Sequence, residues 1–270
     1  MRLRALQAAL VGLVLAAAVV AGVVLSPPAR SSTAMPGDLA PYGQKTMIGA
    51  LFDISSKGRL GNHFCTASVV DSPTGDLAVT AAHCIHGQVA GQMAFVPDYS
   101  SGHMPYGIWT VTQVIEDDNW QQSGDPDDDF AFLVVTQAGN PVPVQKLTGG
   151  ESLGISTPAG RPVTVAGYPD AADTMVSCEN TVVAVSPTQL EFDCDGFTDG
   201  TSGSPLLAES VPVGATGQAA ADGIDMVIGV IGGFEQGGYT ASVSYAARFT
   251  AEFAALYQRA VVLESAGSAG

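Results

Sequence analysis

The sequence predicts an all-β protein, a sandwich or a barrel, behind an N-terminal export segment. Glycine (32) and proline (16) are plentiful in the 270 residues, as in chains of many short strands joined by turns rather than of long helices. Short strand-like apolar runs also recur at close intervals, at 47–52, 64–70, 77–80, 93–96, 108–115, 130–135, 162–166, 181–185, 189–193 and 226–231. Turn-rich pieces such as 71–75 and 98–107 separate them, and this punctuation is what a sandwich or barrel requires.

The N-terminal segment stands apart from this pattern. Arg2 and Arg4 precede an unbroken Ala, Val, Leu and Gly run over 8–25, and Ser32-Thr33-Ala34 offers a small-residue cleavage site. Residues 1–34 therefore read as a signal peptide, or, if uncleaved, as a signal-anchor holding the remainder on the outer face of a membrane. Residues 35–46 read as a short leader, and 47–270 as the folded domain.

One further segment departs from strand periodicity. Over 244–260, Tyr245, Phe249, Phe253, Leu256 and Tyr257 recur at helical spacing, with Ser244 placed to cap the N-terminus. A single amphipathic helix at the end of a β chain is expected to pack structurally on a barrel surface. Trp109 and Trp120 read as core or edge packing.

Charge and cysteine usage narrow the function. The formal net charge is -16 with a pI near 4.2, which repels phosphate and argues against a nucleic-acid partner. The four cysteines, Cys65, Cys84, Cys178 and Cys194, would lie in an oxidising compartment, where disulfides persist. Four cysteines allow three pairings, of which sequence proximity favours Cys65 with Cys84 and Cys178 with Cys194. No CxxC pair supports a zinc site, and no cofactor is called for. Asp125, Asp127 and Asp129 alternate as in calcium loops, but the required Gly and terminal Glu are missing.

Three segments carry chemistry, in the order His, Asp, Ser. Thr80-Ala81-Ala82-His83-Cys84 ends a strand; Asp127-Asp128-Asp129-Phe130-Ala131-Phe132-Leu133 opens one; Gly200-Thr201-Ser202-Gly203-Ser204-Pro205 is a glycine-rich turn. Singly, each is bland: a lone His, a solvated acidic loop, a common turn composition. Together they supply what nucleophilic acyl transfer needs. A Ser hydroxyl is a poor nucleophile until an imidazole takes its proton. The imidazole must be held in one tautomer by a buried carboxylate. The oxyanion needs fixed N–H donors, here the amides of Gly200 and Ser202. Asp128 competes with Asp129, since a slip of one residue turns the side chain to the other face; Asp129 is the expected partner of His83.

These segments resemble the histidine, aspartate and serine motifs of trypsin/chymotrypsin-like serine peptidases, and Cys65 matches the cysteine that pairs across the family's histidine loop. The resemblance implies two six-stranded antiparallel β-barrels with a C-terminal α-helix. It implies a secreted serine endopeptidase with His83, Asp129 and Ser202 as its triad, a protein or peptide substrate, and a monomeric state. The Gly-x-Ser-Gly-Ser arrangement is closer to the bacterial secreted branch, which includes glutamyl endopeptidases and actinobacterial trypsin-like peptidases. Three departures stand out. Digestive members carry an Asp before the Ser that pairs with a freed amino terminus, and here Thr201 stands in its place. The primary pocket is expected around Gly196, Phe197, Asp199, Ile231, Gly232 and Gly233, with Gly196 where trypsin-type members have an Asp. The glutamyl branch carries a His in the later strand, and 230–233 has none. A small or medium apolar pocket is the default expectation.

Overall fold

The structure is a computed structural model; it describes residues 40–41, 46–55, 57–209 and 225–267. The segment 1–34, read above as an export signal, lies outside the described residues, as do all but two residues ahead of Thr46 in the expected leader.

Two antiparallel barrels build the fold. In the first, β1 (Ile48–Ile54), β2 (Leu60–Val69), β3 (Leu77–Thr80), β4 (Met93–Pro97), β5 (Trp109–Glu116) and β6 (Ala131–Thr136) close in the order β1-β2-β3-β6-β5-β4. The second is built on β7 (Pro162–Gly167), β8 (Val176–Thr181), β9 (Gln189–Phe192), β10 (Pro205–Glu209), β11 (Asp225–Ile231) and β12 (Ser244–Arg248), in the order β8-β7-β10-β11-β12-β9. The two-residue strands Ala40–Pro41, Ser152–Leu153 and Val183–Ala184 bring this sheet to nine, and Ser152–Leu153 pairs in parallel with β11. Strand runs of buried apolar residues follow from the barrel's filled interior: every side chain of β3 and β4 is buried.

The second barrel is nearly closed, and covalent chemistry covers the gap. Cys178 on β8 bonds to Cys194, just past β9, and Asn180 Nδ2 donates to Asp193 O at 2.6 Å. The other bond joins Cys65 to Cys84. Both pairings are those expected from sequence proximity.

Four α-helices complete the described residues: α1 (Ala82–Ile85), α2 (Asp118–Ser123), α3 (Val144–Thr148) and α4 (Ala251–Gly267). The expected helix over 244–260 is corrected here. Its first part is strand β12, which pairs with β9 and β11 on either side, and the helix begins at Ala251. The two-sided pairing supplies ladder bonds that an isolated helical turn cannot match, so tertiary context overrides the local spacing. From α4, Phe253 and Leu256 are buried, and Phe253 packs on Phe130 and Phe132 at ring distances of 5.0 and 5.2 Å. The helix thus clamps the strand that follows Asp129.

Sequence periodicity also misplaces the 181–185 run, in which Thr181 ends β8 and only Val183–Ala184 forms a further short strand. It misses β10, whose Pro-Leu-Leu-Ala-Glu has no alternation because both faces are covered. Trp109 and Trp120 are buried, as expected of core packing. Among the described residues no helix is long and apolar enough to cross a membrane.

Candidate active site

Strands β3 and β6 are neighbours in register, Thr80 facing Ala131. This pairing brings the segment after β3, which carries His83 on α1, against the segment before β6, which carries Asp129. Asp129 is 0% exposed. Its Oδ1 accepts from His83 N and its Oδ2 from His83 Nδ1, each at 2.8 Å. A third donor comes from the second barrel, Gly233 N to Oδ2 at 2.8 Å. A carboxylate buried this fully is costly unless hydrogen-bonded, and three N–H groups meet that demand while fixing the ring's Nδ1 as donor. The His83 side chain keeps 13% exposure, so its other nitrogen can reach substrate.

Asp128 lies one residue away with a different environment. It is 6% exposed and accepts from Asn119 Nδ2 at 2.9 Å, away from His83. Burial pushes its carboxyl above the usual range; Asn119 opposes the shift, and Asp117, Asp125 and Glu252 add to it. His86 pairs with Glu116 on the surface. Cys65, His83 and Cys84 fall within 4.8 Å of one another, but the two sulfurs are bonded to each other, which leaves a single metal-ligating nitrogen.

The Ser202 turn is pinned to the first barrel by Thr66 on β2. Thr66 N donates to Ser202 O at 2.8 Å, and Thr66 Oγ1 donates to Gly200 O at 3.1 Å while accepting from Tyr168 N. Thr80 Oγ1 in turn donates to Thr66 O. Gly203 has φ +82, and a Cβ there would lie 2.1 Å from Thr66 O, so only glycine lets the two barrels approach. Gly200, φ +90, packs as closely on Tyr168 O and Asp170. Thr201 is buried and ties its hydroxyl to Thr198 O at 2.7 Å; the turn is closed internally, with no charged partner.

Backbone donors in this turn divide into two sets. The amides of Thr201, Gly203 and Ser204 bond to Thr198 O, Ile231 O and Thr201 O. Those of Gly200 and Ser202 bond to nothing among the described residues. No hydrogen bond joins Ser202 Oγ to His83 Nε2 among the described residues, and Nε2 has Cys84 Sγ at 3.9 Å; such bonds are often loose until substrate is bound.

A cavity of about 250 Å3 opens beside Ser202. Of the residues expected in a pocket, Phe197, Asp199 and Ile231 line it; Gly196, Gly232 and Gly233 do not. Gly232 instead packs on the Asp129 carboxyl, and Gly233 donates to it. The remaining wall is polar, with Thr198, Thr201, Thr240 and Ser244, and Tyr239 stands 82% exposed at its edge. The segment 236–241 was invisible as pocket wall in the sequence, because it reads as an ordinary turn.

Sequence reading also passed over Thr66 and Gln189. Gln189, fully buried, donates Nε2 to Pro126 O and Asp127 Oδ1 and accepts from Phe234 N. It holds the Asp129 loop to the second barrel, and a lone Gln or Thr in a strand carries no signal of such a role.

This two-barrel fold, with a buried His–Asp pair in one barrel and a glycine-flanked Ser turn from the other, is that of a serine hydrolase. A family model of the trypsin-like peptidase domain matches residues 65–213. The chain belongs to that family, and it is a serine endopeptidase. A search of curated proteins returned no match. Among solved structures, the chain is similar to protease Anisep from Arthrobacter nicotinovorans, at 21% identity and TM-score 0.64, over 80% of this chain and 96% of that one. It is also similar to the thermostable serine protease AL20 from an extremophilic microorganism, at 25% identity and TM-score 0.64, over 81% and 98%. A Glu endopeptidase in complex with MPD matches at 16% identity and TM-score 0.61, over 85% and 98%.

Proposed function

We propose that the chain is a secreted serine endopeptidase that hydrolyses protein or peptide bonds through an acyl-enzyme on Ser202. The observation that carries this reading is the arrangement around Asp129, which accepts from His83 N, His83 Nδ1 and Gly233 N while Thr66 pins the Ser202 turn to the same barrel. His83 Nε2 takes the Ser202 proton as Oγ attacks the carbonyl carbon, and the imidazolium is stabilised by Asp129. The oxyanion is held by the two free amides, Gly200 and Ser202. His83 then protonates the leaving amine, and water repeats the sequence to release the acid. No cofactor enters these steps.

Residues 1–34 serve as the export signal, with 35–46 as leader, and the domain from 47 onward acts as a monomer, because one chain supplies every group named. The internally tied Thr201 supports activity that is independent of an exactly processed amino terminus. A polar cavity wall with Asp199 at its edge supports acceptance of small or neutral side chains over acidic ones, in place of the apolar pocket expected by default. The test is cleavage of an unfolded protein substrate by the purified enzyme beside Ser202→Ala, with the products sequenced by mass spectrometry. Peptide products absent from the variant support the reading. Turnover of esters alone, or no turnover of either by folded protein, overturns it.

A further inference from the structure

A second cavity, of about 260 Å3, has Asp170 in its wall, and Asp170 packs against Gly200 of the Ser202 turn. Phe52, Asn62, His63, Tyr99, Asp170 and Asp173 line it. Asp199 lines the first cavity, while Gly200 packs against Asp170, so the Asp199-Gly200 peptide separates the two. A substrate with its acyl side chain beside Ser202 and its carbonyl oxygen on the Gly200 and Ser202 amides must send its leaving segment past this second cavity.

The walls have one consistent chemistry. Asp170 and Asp173 form no ion pair among the described residues, and no Lys or Arg lines the cavity. The nearest cations in sequence, Lys57 and Arg59, are exposed on the β1–β2 turn. Phe52 and Tyr99 present an edge-to-face pair at 5.0 Å, with His63 5.7 Å from Phe52. His63 is 7% exposed, yet its Nδ1 has no hydrogen-bond partner. The acids sit on fixed backbone: Asp170 N donates to Asp199 O, and Ser101 N donates to Asp173 O. Two carboxylates without an ion pair among the described residues, sharing one cavity with aromatic rings, suit a cation on an alkyl stem, through charge and cation–π attraction together.

We infer that this cavity receives a Lys or Arg side chain of the substrate on the leaving side of the scissile bond, so that the enzyme favours cleavage upstream of a basic residue. The inference rests on the Ser202 reading and extends it from reaction to substrate class. Burial raises the Asp170 carboxyl, with His63 lowering it and Asp199 raising it further, so the preference weakens in acid as Asp170 gains a proton.

The experiment uses internally quenched peptides that share one acyl side and differ at each of the first three leaving-side positions in Lys, Arg, Gln or Glu. Cleaved bonds are assigned by mass spectrometry, and Ser202 competence is read separately from the rate of fluorophosphonate labelling. At one position kcat/KM for Lys or Arg is expected to exceed that for Gln by about fivefold, as a partly exposed pair with an aromatic wall supplies. Glu should fall below Gln. In Asp170→Asn/Asp173→Asn the ratio drops toward one, and Asp173→Glu restores part of it. Equal rates for all four residues on an enzyme whose Ser202 labels overturn this inference alone, as does a ratio that survives in the double variant. Failure to label Ser202 in folded protein overturns the underlying reading and this inference with it.

Discussion

The first barrel joins its six strands in an unbroken ring, whereas the second leaves an edge that the Cys178–Cys194 bond covers. Their contributions to the site differ in the same way. His83 and Asp129 hang from adjacent strands of the closed ring and are locked by three backbone and ring N–H bonds, with α4 packed on the residue that follows Asp129. Ser202, the amides of Gly200 and Ser202, and the 198–199 and 236–241 walls of the first cavity lie on loops shaped by glycine. A proton relay needs fixed geometry within a few tenths of an ångström, which the closed ring provides. Substrate recognition needs surface that varies without unfolding the core, which loops provide.

The largest effect should come from separating the two halves chemically. Ser202→Ala and His83→Ala, one in each barrel, are each expected to lower kcat by more than about 10^4-fold, with equal losses singly and together. Additive losses would mean that the two groups do not act as a unit. Next, Gly200→Ala displaces a backbone packed against Tyr168 O and Asp170. It should cost about 10^2- to 10^3-fold in kcat with KM little changed; a KM effect alone would detach Gly200 from the oxyanion.

The two disulfides sharpen the comparison further. They close similar spans, with separations of 19 and 16, and each is expected to contribute about 3 kcal/mol. Removing Cys65–Cys84 should lower kcat as well as Tm, because Cys84 follows His83. Removing Cys178–Cys194 should lower Tm and speed hydrogen exchange in β8 and β9, while the His–Asp pair stays intact. Matching exchange patterns in the two variants would erase the distinction between a closed and a stapled barrel.

Smallest is the effect of Asp128→Asn. Burial raises the folded-state pKa of Asp128 above its unfolded value, so its contribution to stability is present when it is protonated and is lost as pH rises through the raised value. The Asn variant should gain about 1 °C in Tm at pH 7 and nothing near pH 3, measured by thermal melts across pH. A gain at pH 3 would place the origin elsewhere.

Much of this was legible in the sequence, for identifiable reasons. The His, Asp and Ser segments declare themselves because the chemistry demands particular residue types beside particular turns, and most strands do because barrel interiors demand apolar runs. What stayed hidden depends on pairing at a distance. β12 carries helix-like spacing until its two neighbours claim it, and β10 shows no alternation because both faces are covered. Thr66, Gln189 and Gly233 act through hydrogen bonds between barrels, and 236–241 becomes cavity wall only once β11 and β12 are side by side.

The most direct measurement is intact-mass analysis of the purified protein after a fluorophosphonate probe, with peptide mapping of the adduct and Ser202→Ala, Asp129→Asn and Asp128→Asn alongside. One adduct on Ser202, absent in Ser202→Ala, strongly slowed in Asp129→Asn and unchanged in Asp128→Asn, is the result predicted by two barrels converging on one activated serine. An adduct elsewhere, or none on folded protein, would contradict it.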